Sequence, residues 1–190
     1  CHGKLGHEDI PSWLDGVVDA QNILDDGDFR EYSESFYRYL SVGLKVPFST
    51  GTDWFLYDFA RAYVPSKVKP STKQWLDVLT SGRSFITNGP FLELTVAGKT
   101  PGDIVPLGRP GRVQAHVRAV GRHDFGLLQI VHDGEVAAVA KAERNGGHYQ
   151  ADLRANLDTS RSGWVAARVR SKASNELGEQ LFAHTSPVYL

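Results

Sequence analysis

The chain contains no methionine and a single cysteine, so two common guides to the origin and redox environment of a protein are missing. Because position 1 is Cys1 and not a methionine, we expect the chain to be part of a longer or processed protein. A chain that begins with Cys1 also fits a lipid-anchored surface protein, although no flexible Ser/Gly tether follows that residue. One cysteine cannot form an internal disulfide, so the cellular location stays open.

The sequence also lacks an excess of charge and a long apolar run. Its 190 residues carry a formal net charge of -1, and the lysines and arginines are scattered. This distribution does not create the broad positive surface that nucleic acid requires. No apolar run approaches the roughly 20 residues of a membrane-spanning helix. With 41% hydrophobic residues, the sequence predicts a globular protein that has no nucleic-acid partner and no membrane span.

The first part of the chain combines strand and helix patterns. β-Type residues in 17–24 and 44–50 flank an amphipathic pattern in 29–40, where bulky residues recur at three- and four-residue steps. This order favours two parallel strands joined by a right-handed crossover. In such units the functional residues lie where strands end at their C-terminal edge. Asp53 falls at such an edge, because Gly51-Thr52-Asp53 directly follows the second predicted strand.

From Gly82 onward the pattern changes to short β-type runs separated by Gly, Pro, Asn and Asp turns. A helix before this point is predicted from the capping box of Ser71 and Gln74. The predicted strands are 91–96, 113–120, 127–131, 136–140, 149–153, 164–169 and 180–184. His132-Asp133-Gly134-Glu135 is predicted to form a hairpin turn, because Asp-Gly supplies the positive φ angles of a tight hairpin. No helical period intervenes, which is typical of an antiparallel, immunoglobulin-like β-sandwich. The predicted fold class is therefore α+β, with a first unit at 1–82 and a sandwich at 83–190.

Residue types that bind metals occur in the first unit. A predicted loop at the N-terminus contains four of them: His2, His7, Glu8 and Asp9. Together with Asp53, they predict a partial site for zinc or manganese, because both metals bind imidazole and carboxylate groups. The structural alternatives are a solvated polar loop for His7, Glu8 and Asp9, and a helix cap or turn for Asp53. The four tryptophans are interpreted as core residues and not as a sugar-stacking platform.

Several strings of the sequence resemble one enzyme family. They are, in chain order, Phe36-Tyr37-Arg38-Tyr39-Leu40, Ser49-Thr50-Gly51-Thr52-Asp53, Gly82-Arg83-Ser84-Phe85-Ile86-Thr87-Asn88-Gly89-Pro90, Pro101-Gly102-Asp103, Ser162-Gly163-Trp164 and His184-Thr185-Ser186-Pro187. In that order they look like the C-terminal half of the carbaryl-hydrolase-like metallohydrolases, a branch of the polymerase and histidinol phosphatase (PHP) superfamily. The third and last strings are the most specific parts of this resemblance.

The resemblance implies a distorted β/α barrel in which two or three divalent metals activate water for attack on an ester or phosphoester. It implies that His2 and Asp53 are metal ligands. It also marks Arg83, Asn88 and His184 as candidates for binding a small-molecule substrate. The opening His-x-His strand of the superfamily is absent, which implies an upstream barrel segment outside this sequence. We therefore expect the first unit to be a barrel remnant and the chain alone to be an incomplete catalyst.

Two other expectations accompany this interpretation. The rival hypothesis is a non-catalytic β-sandwich module for binding or interaction, which would use the first unit as a scaffold and bind no stoichiometric metal. An incomplete barrel would also expose unpaired backbone groups at its edges, so the sequence predicts that two copies can pair there as a homodimer. The sequence determines neither the substrate nor the cellular location.

Overall fold

The computed structural model describes residues 9–23, 36–51 and 60–190. Its helices are α1 (Asp9–Leu14), α2 (described over 36–41) and α3 (Thr72–Thr80). Its strands are β1 (Gln21–Asn22), β2 (Phe48–Ser49), β3 (Arg61–Tyr63), β4 (Phe85–Thr87), β5 (Phe91–Val96), β6 (Arg112–Gly121), β7 (Leu127–His132), β8 (Glu135–Lys141), β9 (Glu143–Asn145), β10 (His148–Asp158), β11 (Trp164–Ser174), β12 (Gln180–Thr185) and β13 (Val188–Tyr189).

Two antiparallel sheets form a β-sandwich. One sheet has the strand order β5-β6-β10-β9, and the seven-stranded sheet contains β3-β4-β12-β11-β7-β8 with β13 paired to β11. Their facing sides enclose an apolar core that includes Leu94, Val117, Phe125, Ile130 and Val169. Alternate residues of β5 are buried, as the two-residue period of a strand with one solvated face requires. Each strand run predicted after Gly82 lies within an observed strand, so the antiparallel sandwich is confirmed.

Strand β11 departs from this alternation because both of its faces are covered. Every residue from Trp164 to Val169 is buried. Alternate side chains of this run face the sandwich core. Trp164 and Ala166 face a second apolar cluster on the outer side of the seven-stranded sheet. Most of the residues that pack against the sheet in this cluster belong to 9–23 and 36–51. We call these two ranges the N-terminal cover.

The N-terminal cover contains a small parallel sheet. β1 and β2 pair in parallel through Gln21↔Phe48 and Asn22↔Ser49, and α2 lies between them in the chain. The predicted strand–helix–strand order with parallel strands is therefore confirmed, although the strands are shorter than predicted. Within the described ranges no other pair of strands is parallel, so the structure does not show a barrel remnant.

Two local predictions differ from the structure near the ends of the first unit. Asp9 was predicted to lie in the N-terminal loop, but it begins α1. Pro11 lies in the first turn of this helix, where its missing N–H removes no helical hydrogen bond. β3 precedes residue 83 and pairs with β4, so the seven-stranded sheet extends across the predicted domain boundary. Strands as short as β3 and β4 show no sequence period, because three residues do not complete two repeats.

Two predictions that depend only on neighbouring residues are confirmed. The Ser71 hydroxyl accepts a hydrogen bond from Gln74 N, and Gln74 Oε1 accepts one from Ser71 N, so the capping box of α3 is complete. Asp133 and Gly134 form the turn between β7 and β8, with φ angles of 50° and 90°. None of the helices in the described ranges has the length and apolarity that crossing a membrane requires.

Candidate functional site

The predicted site residues fall into two groups. His2 and Asp53, the predicted metal ligands, lie outside the described residues. Arg83, Asn88 and His184 are described, and they belong to or adjoin strands β4 and β12. They occupy different environments, so the surroundings of each determine what it can bind.

Arg83 lies between α3 and β4, with half of its side chain exposed. Its Nη2 donates to Asp103 Oδ1 over 2.8 Å. Hydrogen bonds from the backbone N–H and hydroxyl of Thr100, together with the Arg83 charge, lower the pKa of Asp103. Arg83 thus binds a loop of its own protein. Because both partners are partly solvated, this ion pair stabilises the fold only weakly.

Three of the strings that carry the family resemblance meet beside Arg83. Gly102 N donates to Pro187 O over 2.8 Å, which joins Pro101-Gly102-Asp103 to the last string. A Cβ on Gly102 would lie 2.3 Å from the Ser81 carbonyl oxygen, so only glycine allows this approach to the Gly82-Arg83 turn. The structure therefore gives these strings a packing role.

Asn88 follows β4 and is buried. Its Oδ1 accepts from Phe182 N over 2.8 Å, and its Nδ2 donates to Gln180 O over 2.9 Å. The side chain thereby continues the pairing of β4 with β12 beyond Thr87↔Ala183. Both polar atoms of the amide are therefore bound by backbone groups of β12.

His184 lies in β12 on the outer side of the seven-stranded sheet and is 4% exposed. Its Nδ1 is 2.7 Å from the Thr185 carbonyl oxygen, which can only accept, so Nδ1 carries the proton. Nε2 then accepts from the Tyr37 hydroxyl over 2.7 Å. Burial lowers the pKa of His184 to about 3, so the ring is neutral at pH 7.

Tyr37 of α2 connects His184 to Arg168 of β11. The Tyr37 hydroxyl accepts from Arg168 Nη1 over 3.2 Å, and Arg168 Nε donates to Gln129 Oε1 over 2.7 Å. Gln129, Arg168 and His184 are register partners across β7, β11 and β12. One row of the sheet thus presents three polar side chains toward the N-terminal cover. Burial raises the pKa of Tyr37, which keeps its hydroxyl protonated as a donor to His184.

The described residues do not form the predicted metal site by themselves. Among them, no group of three or more His, Cys, Asp or Glu side chains is arranged to hold a metal ion. His184 has no lone pair to offer in this arrangement, because Nδ1 donates and Nε2 accepts. A metal would therefore need ligands from the remaining residues, where His2 and Asp53 are the predicted ones.

The chain matches no family model, no curated protein and no solved structure. Its assignment to the PHP superfamily therefore stays a prediction that rests on the sequence strings. The role of each described residue has to be inferred from its own contacts.

Four residues that connect the sheet to the cover were not predicted from the sequence as candidates: Tyr37, Arg168, Ser84 and Ser186. Arg168 carries the clearest signal, because it is the one charged residue in the run from Trp164 to Val169. In the structure every residue of this run is buried. A charged residue inside a run that is buried on both faces needs hydrogen-bonding partners from another element. Ser84 and Ser186 give no such signal, since serine is common in turns near strand ends.

Proposed function

We propose that this chain is the C-terminal part of a metal-dependent hydrolase acting on an ester or phosphoester. The sandwich, in this proposal, supports the strand that leads to the metal site. The observation that carries the proposal is the parallel pairing of β1 with β2. β2 ends at Ser49, so Asp53 follows the C-terminal edge of a parallel strand. α/β enzymes place their functional residues at such edges.

The finer part of the proposal concerns the barrel. β1, α2 and β2 would be the last strand–helix–strand unit of a PHP-type barrel, and an upstream segment would contribute the other strands. His2 and Asp53 would hold zinc or manganese, which suits their imidazole and carboxylate donors. The chemistry that such a metal supplies is a lowered pKa of bound water and polarisation of the scissile group.

The proposal gives Arg83, Asn88 and His184 a supporting role. Their polar groups bind Asp103, the backbone of β12 and Tyr37, respectively. To bind a substrate, each would first have to leave these partners, and buried groups without partners are costly. Support of the fold therefore explains their contacts better than the substrate binding that the resemblance implies.

The same contacts favour a second candidate function, a non-catalytic β-sandwich module for binding or interaction. Such a module needs no metal, and its polar residues would serve only to hold the N-terminal cover on the sheet. The two candidates differ in one measurable property, which is stoichiometric metal content.

Elemental analysis after equilibration with zinc or manganese tests the proposal. We expect about one metal ion per chain, with loss of that metal in Asp53→Ala and in His2→Ala. Asp15→Ala and His148→Ala are matched controls, since they remove the same side-chain types at positions that are not among the predicted ligands. An unaltered chain without metal would favour the non-catalytic module, and full metal content in Asp53→Ala would contradict the assignment of Asp53 as a ligand.

A further inference from the structure

Two buried serines of the sandwich bind the backbone of β2. Ser84 Oγ donates to the Phe48 carbonyl oxygen over 2.6 Å. Phe48 N donates to Ser186 Oγ over 3.1 Å. The two hydroxyl oxygens are 2.9 Å apart, and Ser186 N also donates to Ser84 O over 2.8 Å. We call Ser84 and Ser186 the hydroxyl clamp.

The direction of each hydrogen bond in the clamp follows by elimination. The Phe48 carbonyl oxygen can only accept, so the single hydroxyl hydrogen of Ser84 points to it. Ser84 Oγ must then accept from the Ser186 hydroxyl. Ser186 Oγ in turn accepts from the Phe48 N–H. The result is a closed cycle in which each hydrogen bond polarises the next, and both backbone groups of Phe48 are satisfied.

These backbone groups point away from β1. The pairing of β1 with β2 uses Gln21 N to Pro47 O over 3.0 Å, and Ile23 N to Ser49 O over 2.8 Å. Successive residues of a strand direct their backbone groups to opposite edges, so Phe48 directs its N–H and C=O to the other edge of β2. The hydroxyl clamp therefore occupies the position where the next strand of a sheet would bind.

We infer that the hydroxyl clamp ends the parallel sheet at β2 and holds this strand against the sandwich. A further strand, from an upstream segment or from a second copy, can then join the sheet only beyond β1. A closed barrel needs both edges of every strand paired, so the barrel of the proposed function would have to be open at β2. β2 is accordingly the terminal strand of the sheet, next to the sandwich. The end of the sheet at β2 does not rest on the proposed function.

Hydrogen exchange at the Phe48 amide tests the clamp directly. Ser186→Ala removes the acceptor of this amide, so we expect exchange at Phe48 to become roughly five- to tenfold faster. Ser84→Ala opens the same cycle from the other side and should give a smaller increase. Because either substitution already breaks the cycle, the two fold-changes should not multiply in the double variant.

Ser171→Ala is the matched control. Ser171 is also a buried serine of the sandwich, and it lies near the C-terminal end of β11. It should leave Phe48 exchange unchanged. Exchange at Val169, in the sandwich core, shows whether a variant destabilises the whole protein. Unchanged exchange at Phe48 in Ser186→Ala overturns the clamp. Equal increases at Phe48 and Val169 in that variant overturn it as well.

The outcomes for the two proposals remain distinguishable. A chain that binds no metal but loses Phe48 protection in Ser186→Ala keeps the clamp and contradicts the proposed hydrolase function.

Discussion

The sandwich and the N-terminal cover are held together by different interactions. β6 and β10 of the sandwich pair without interruption from Tyr149↔Gly121 to Asp158↔Arg112. The cover has only the two-residue pairing of β1 with β2 and is attached to the sheet by aromatic packing and a few side-chain hydrogen bonds. The comparison indicates that the sandwich is organised by its own strand ladders, whereas the structure of the cover depends on the sheet beneath it.

Trp164 links the two regions through its ring. Its ring centroid lies 4.8 Å from that of Tyr37, and its Nε1 donates to Ser41 Oγ over 3.2 Å. Asp133 Oδ1 accepts from Trp164 N over 2.8 Å, which fixes the start of β11. A Cβ on Gly163 would lie 2.4 Å from that carboxylate oxygen, so the glycine makes room for it.

Removal of the Trp164 ring should have the largest effect on the attachment of the cover. Trp164→Ala deletes a side chain that is 1% exposed, and we expect the free energy of unfolding to fall by about 3–5 kcal/mol. Urea denaturation measures this change. Val139→Ala is the control on the uncovered part of the same sheet, where Val139 is 47% exposed and a change of about 0.5 kcal/mol is expected. Similar losses in both variants would remove the distinction between covered and uncovered parts.

The second prediction concerns the pH dependence of the attachment. Burial lowers the pKa of His184 from 6.5 to about 3, so the unfolded chain binds a proton that the folded chain excludes. The free energy of unfolding should therefore be highest above about pH 6.5 and decrease as the pH falls toward 3. The decrease should reach about 1.4 kcal/mol per pH unit once the unfolded chain is protonated.

Denaturation between pH 6.5 and 4.5 measures the contribution of His184. In His184→Gln the curve should be flatter over this range, whereas the control His148→Gln should keep the slope. The pKa values of Asp103 and Asp152 are lowered from 3.8 in the folded protein. These carboxylates therefore stabilise the fold above about pH 3.8, and this stabilisation is lost as the pH falls below that value. They therefore do not interfere in this range. Equal slopes in His184→Gln and the unaltered protein would contradict the neutral, buried histidine.

The smallest effect is expected on the solvated face of the sandwich. Asp152 of β10 lies 2.9 Å from His116 Nε2 and 3.7 Å from Arg118 Nε, on the outer side of the four-stranded sheet. The hydrogen bond from His116 lowers the pKa of Asp152. Because Asp152 and Arg118 are more than half exposed, Asp152→Asn should cost only about 0.5 kcal/mol, and less at high salt. A loss as large as that of Trp164→Ala would show that the sandwich also depends on surface charges.

The outcome of the sequence predictions follows the same division. The longer strands of the sandwich could be predicted because they form β-type runs between turns, and some alternate, as in Leu92, Leu94 and Val96 of β5. The N-terminal part could be predicted only in outline, because its short strands carry little pattern. The metal ligands assigned to His2 and Asp53 stay predictions, since both lie outside the described residues.

The candidate site could not be derived from the sequence, because its contacts join distant positions. Tyr37 and His184 are 147 residues apart in the chain, and Phe48 and Ser186 are 138 residues apart. No local period or spacing in the sequence indicates which of the many polar residues will contact each other across such separations. The resemblance pointed to His184 but not to Tyr37 or Arg168 as its neighbours.

The sequence by itself determined the features that arise within a few residues: the alternation of the sandwich strands, the capping box of α3 and the Asp133-Gly134 turn. Only the tertiary structure decided which face of the seven-stranded sheet is covered, which nitrogen of His184 carries the proton, and how the backbone groups of Phe48 are satisfied. The physical reason is the range of the interactions. Caps, turns and strand alternation depend on neighbouring backbone groups, whereas burial and hydrogen bonding between elements depend on how the whole chain packs.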